Sequence, residues 1–195
     1  NKVIDIFPLG ILNIHPSLLP KHKGPSPIQD TILAGEKKTG TTVIKLDDQI
    51  DHGPVLSQEE IELTGRETLE NLTEKLFSLG GDMIIKIIRM IETGSYPEEK
   101  AQRSNSSNFT QKFTKQDGFV DINNPSSGVV LDRKIRAFYP WPGVWFRAKL
   151  NGRQRIIKLL PEQKIQVEGK NVMELSDFAN GYPEGAQILS QFSLS

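Results

Sequence analysis

The 195-residue sequence predicts an α/β chain that ends in a small β-rich module. Three observations predict it. Strand-like and helix-like patterns alternate through the first half, which argues for helices layered on a sheet. The longest apolar periodicity, at spacings of three and four, closes that half. The last third carries short alternating segments, two of them joined by Asn151-Gly152, a type I′ hairpin signal.

Residues 11–14 read as a strand, and period-two alternation then sends Asn13 and His15 to one side. A loop stiffened by Pro16 and Pro20 follows. Residues 27–34 read as a short helix, with Pro27 in its first turn, Ile28, Ile32 and Leu33 near one face, and Gly35 at its end. Residues 40–46 and 55–63 read as strands on either side of the acidic turn 47–54. Thr64-Gly65-Arg66-Glu67 has the form of a capping box. It is expected to open the longest helix, whose stripe of Leu69, Leu72, Leu76, Leu79, Met83, Ile87 and Ile91 closes at Gly94.

Residues 98–115 are polar and read as a linker or an extended strap. Beyond them a short strand is expected at 119–122, a helix at 127–138, and strands at 144–150 and 155–160. A small β-barrel with one helix fits that order.

Composition excludes several function classes. The chain has no cysteine, so disulfides, thiolate nucleophiles and Cys-based zinc sites are ruled out. No apolar run reaches the length of a membrane span, no signal segment opens the chain, and a cytoplasmic location is expected. The net charge of zero hides an asymmetry. Residues 1–100 carry 11 Lys/Arg against 16 Asp/Glu, and residues 101–195 carry 13 against 8. Two modules with different partners are therefore expected.

Asn13 and His15 are the strongest candidates for chemistry. An amide beside an imidazole can hold a developing oxyanion and move or balance a proton, which acyl or formyl transfer requires. Asp51 lies in an acidic loop that a solvated turn would also explain. If that loop faces the one after the first strand, Asp51 can set the charge or tautomer of His15. A metal site drawn from His15, His22, His52 and the aspartates is disfavoured, because no two His fall at an i, i+4 spacing. From Arg133 to Lys164 there are nine Lys/Arg and one acid, Glu162. Arg133, Lys134, Arg136, Arg147, Lys149, Arg153 and Arg155 are the candidates for binding phosphate, while most of the interleaved aromatics read as core.

At the runs 12–24, 24–29, 47–53, 135–143 and 168–170 the chain resembles the folate-dependent formyltransferases. The Pro140-Trp141-Pro142-Gly143 segment and the basic second module single out the members that act on methionyl-tRNA. The resemblance implies a Rossmann-like formyltransferase domain, with residues 1–98 as its C-terminal half. A linker at 99–116 and a reduced, OB-like β-barrel tRNA-binding domain at 117–195 would follow. It implies a formyl group moving from 10-formyltetrahydrofolate to the amino group of methionyl-initiator tRNA, without metal, in a protein that is monomeric when complete. Asn13, His15 and Asp51 match the catalytic trio. Ser17, Leu18, Leu19 and Pro20 match the folate-contacting run, and Asp47 lies in the loop that would line the pteridine side. Other family branches take a nucleotide sugar or a purine precursor as acceptor, and a non-catalytic RNA-binding remnant is the reading from another class. The chain opens at Asn1, almost directly on a strand. It is therefore expected to lack the first half of the catalytic domain, to expose a sheet edge and to show no turnover in isolation.

Overall fold

A computed structural model describes residues 3–102 and 107–192 and divides the chain into two compact units, Asn1–Lys112 and Phe113–Ser195. In the first, strand β1 (Leu12–His15) leads through a long loop to helix α1 (Pro27–Ala34). Strands β2 (Lys38–Lys45) and β3 (Val55–Glu62) follow, then helix α2 (Leu69–Glu92). The sheet order is β1-β2-β3, antiparallel throughout. The central strand β2 is buried along nearly its whole length, and its threonine hydroxyls find partners. Thr41 donates to Leu76 C=O at 2.8 Å and Thr42 to Ser17 C=O at 2.7 Å.

Helix α2 covers the sheet with the predicted stripe. Leu72, Leu76, Met83 and Ile87 are almost fully buried, and Val43, Met83 and Ile87 form a core joined by Leu12, Leu56 and Leu79. Each such side chain contributes about 1.5–3 kcal/mol through burial. The helix opens one turn later than the sequence suggests. Thr64 and Glu67 close a turn of their own, with Glu67 accepting from the Thr64 N–H at 2.7 Å and Gly65 at φ +83°. The helix is capped instead by Thr68, which exchanges hydrogen bonds with Asn71. Gly80 marks the closest approach of α2 to the sheet, because a Cβ there would collide with the Ile14 Cγ2 methyl. Gly80→Ala should therefore cost about 1–3 kcal/mol of stability, read as a lower urea midpoint, despite alanine's better helix propensity.

In the second unit a 3-10 turn (Lys115–Gly118) precedes helix α3 (Gly128–Phe138). Strands β4 (Val144–Leu150), β5 (Arg153–Leu160), β6 (Lys164–Val167) and β7 (Val172–Glu174) then form a four-stranded antiparallel sheet in chain order. Asn151 and Gly152 both take positive φ, 48° and 77°, as a type I′ turn requires. The strand expected at 119–122 is reduced to one bridge from Phe119 to Trp145, because turns at both ends leave no room for a ladder. Two short helices, α4 (Leu175–Gly181) and α5 (Gly185–Ser190), end the unit. They contribute Phe178 and Ile188 to its core, and Phe192 beyond them packs on Phe146 with ring centroids 4.8 Å apart.

Candidate active site

β1 places Asn13 and His15 on one face, with Asn13 opposite Ile44 and His15 opposite Thr42 of β2. The His15 ring is buried, and its Nε2 lies 2.9 Å from the main-chain oxygen of His22. A carbonyl oxygen can only accept, so the neutral ring carries its proton on Nε2 and leaves the Nδ1 lone pair free. Nδ1 faces Asp51 Oδ1 at 3.5 Å. The Asp51 carboxylate also accepts the Gly24 N–H at 2.7 Å through Oδ2, so the acidic loop after β2 is clipped onto the loop after β1. Asp51 itself sits at φ +48°.

Burial dominates the charge state of His15. Desolvation pushes its pKa below the ordinary value of 6.5, against the upward pull of Asp51 and of the His22 carbonyl. His22 and Lys23 add to the downward push. The ring is thus a neutral proton acceptor whose charged form would find a carboxylate already beside it. Asn13 is half-buried, and among the described residues its amide makes no hydrogen bond.

The run after His15 divides into two roles. Ser17 and Leu19 are buried and hold the loop: Ser17 Oγ donates to Lys21 C=O at 2.7 Å, and Leu19 N–H donates to Thr42 Oγ1 at 3.2 Å. Leu18 and Pro20 instead line a cleft of about 270 Å³ with Lys21, His22 and Glu36. Asp47 accepts from Gln49 N–H and lies 2.6 Å from His52 Nδ1. Slight burial pushes its carboxyl up, but those hydrogen bonds outweigh it and hold the group below the usual carboxylate range.

The polar stretch after α2 belongs to this site in a way that composition did not reveal. Gln102 Nε2 donates to the main-chain oxygens of Asp51 and Gly53, both at 2.9 Å. Asn108 Oδ1 accepts His22 N–H at 2.7 Å, and Thr110 N–H donates to Lys23 C=O at 2.7 Å. These residues strap the loops of the candidate site in place.

In the second unit the basic candidates separate. Arg147 and Lys149 alternate on the exposed face of β4, and Lys158, opposite Trp145, joins them there. The Arg147 guanidinium lies 5.8 Å from the Trp145 ring centroid. Arg153 and Arg155 pair with Leu150 and Ala148, on the other pleat face. Lys134 donates to Phe119 C=O at 3.0 Å, and Arg136 forks onto Asp132 at 2.8 and 2.9 Å, so both make internal bonds. Arg133 lies on the same helix and is half-buried.

Residues 1–88 match the family model described as formyl transferase, and residues 112–165 match the model of the formyl transferase C-terminal domain. The methionyl-tRNA formyltransferase of Chloroflexus aurantiacus is 39% identical over 143 residues, covering 73% of this chain and 45% of that protein. The Paramagnetospirillum magneticum enzyme of the same name is 40% identical over 144 residues, covering 74% and 47%. The chain thus spans about half the length of the curated relatives it matches. Among solved structures, HypX from Aquifex aeolicus in complex with tetrahydrofolic acid shares the fold at a TM-score of 0.63 and 19% identity, covering 76% of this chain and 25% of that one. A 4-N formyltransferase from Francisella tularensis does so at 0.62 and 23%, covering 76% and 61%.

Proposed function

The chain belongs to the formyl transferase family, and from that premise we propose that it carries the transfer site of a methionyl-tRNA formyltransferase using 10-formyltetrahydrofolate as donor. One observation supports the reading above all. The Asn13 amide, without a hydrogen bond among the described residues, stands on the same strand face as a neutral His15, whose free Nδ1 is backed by Asp51 at 3.5 Å.

Formyl transfer joins an amine nitrogen to the formyl carbon and breaks the bond from that carbon to the donor nitrogen. Negative charge gathers on the formyl oxygen, and one proton must leave the amine while another reaches the departing nitrogen. Asn13 donates to that oxygen as its charge grows. His15 takes the amine proton at Nδ1, and Asp51 stabilises the imidazolium until the proton is passed on. Because burial lowers the His15 pKa, its basic form persists to a more acidic pH than that of an exposed histidine. The acid limb of the kcat/KM profile should therefore fall below 6.5, and a limb above that value would contradict the assignment.

Leu18 and Pro20, on the cleft, and Asp47 are the residues proposed to meet the folate donor, with Ser17 and Leu19 shaping the loop beneath. The initiator tRNA is proposed to lie against the basic second unit, with Arg147, Lys149 and Lys158, exposed together on one sheet face, as its first contacts. Arg133, Lys134, Arg136, Arg153 and Arg155 complete the proposed set. For each phosphate that Arg147, Lys149 or Lys158 neutralises, alanine substitution should flatten the plot of log affinity against log salt by roughly 0.7–0.9. An unchanged slope in the triple alanine variant would remove that face from the RNA surface. No described helix is long and apolar enough to cross a membrane.

A further inference from the structure

We infer that His22, clamped between Asp30 and Glu36, is a positioning residue that fixes which nitrogen of His15 carries the proton. The inference about His15 is structural; its catalytic meaning rests on the function proposed above.

The His22 ring is buried, and both its nitrogens meet carboxylates. Nδ1 lies 2.7 Å from Asp30 Oδ2 and Nε2 lies 3.0 Å from Glu36 Oε1. Each ring nitrogen thus stands at hydrogen-bond distance from a carboxylate oxygen, so the ring is held at both edges. The two acids come from opposite ends of α1. Asp30 lies in its first turn, and Glu36 follows Gly35, whose φ of +65° ends the helix. α1 therefore presents both carboxylates to one ring, although they stand six residues apart.

The clamp acts on the main chain. His22 sits at φ +55°, in the left-handed region that residues with a Cβ enter only at an energetic cost. Such a conformation persists only where its surroundings over-determine it. Here the ring is held by the two acids, and the N–H by Asn108 Oδ1 at 2.7 Å. With the residue pinned at both points, its carbonyl is aimed at His15 Nε2, 2.9 Å away. That carbonyl is what forces the His15 proton onto Nε2 and leaves Nδ1 bare toward Asp51. The charged groups facing His15 are Asp51, His22 and Lys23. Those near His22 are Asp30 and Glu36, with Lys21, Lys38 and Glu60 along the cleft. A helix with no other part in the site would thereby set the protonation pattern of the base.

The test is long-range ¹H–¹⁵N correlation of the imidazoles in the 195-residue chain, which has three histidines to assign. In the unsubstituted chain, neutral His15 should show Nε2 protonated and Nδ1 bare. In Asp30→Asn/Glu36→Gln, which keeps side-chain shape, and in His22→Leu, which keeps the carbonyl, the two His15 nitrogens should move toward a common averaged shift. Should His22→Leu fail to fold, Glu36→Gln alone changes one partly exposed side chain and should move the His15 signals in the same direction. An Nδ1–H tautomer in the unsubstituted chain would overturn the inference, as would an unmoved Nε2–H signal in the folded variants. If His15 proved dispensable for formyl transfer while these shifts appeared, the function proposed would fail and the positioning role would stand.

Discussion

Within a full-length methionyl-tRNA formyltransferase that carries this segment, His15→Ala should lower formyl transfer by roughly 10²–10⁴-fold, the range set by losing a positioned general base. The loss should fall on kcat with KM little changed, because His15 is buried against the chain's own groups and is proposed to act on the proton in flight. Asp51 would keep its bond from Gly24 N–H at 2.7 Å, so the loop should hold its place and the variant should fold. The acid limb of the pH profile should also disappear, since the group that titrates is gone. A variant with wild-type kcat, or one that keeps the same acid limb, would show that the proton goes elsewhere. Single-turnover transfer of labelled formyl across the pH range measures both.

Asn13→Ala should cost about 10²–10³ in rate, equivalent to about 2.7–4 kcal/mol of transition-state stabilisation, as for other single oxyanion donors. The Asn13 amide has no partner among the described residues, so its removal disturbs no internal bond there and the loss reports on the substrate alone. Asn13→Asp sharpens the test. It keeps the shape but sets a carboxylate where negative charge must grow, and it should be slower than alanine. If aspartate were faster than alanine, Asn13 would not be an oxyanion donor.

The parts of the fold with local chemistry were legible in the sequence. Pro27 and Gly35 bracket α1 as its observed bounds require, and Asn151-Gly152 turns the β4–β5 hairpin. The start of α2 misled because Thr64 and Glu67 satisfy each other within one turn, which looks the same in sequence as a cap. Helices α4 and α5 went unread because each is too short to show a period. At the site, Asn13, His15 and Asp51 were visible as residue types, and the loops do bring Asp51 to His15. The clamp on His22 was not visible, since Asp30 and Glu36 meet one ring only once α1 has turned between them. Residues 98–115 read as a linker or an extended strap, and what stayed hidden was which loops they hold. Gln102, Asn108 and Thr110 read as linker polarity, yet each bonds a main-chain group of the site loops.

The central claim is that these loops form a working transfer site. A chimera in which this chain replaces the aligned segment of the Chloroflexus aurantiacus methionyl-tRNA formyltransferase tests it most directly, with labelled 10-formyltetrahydrofolate as donor and methionyl-tRNA as acceptor. The chimera should transfer label to methionyl-tRNA, and His15→Ala within it should abolish most of that rate. A folded chimera that binds donor and tRNA but transfers no label would contradict the claim.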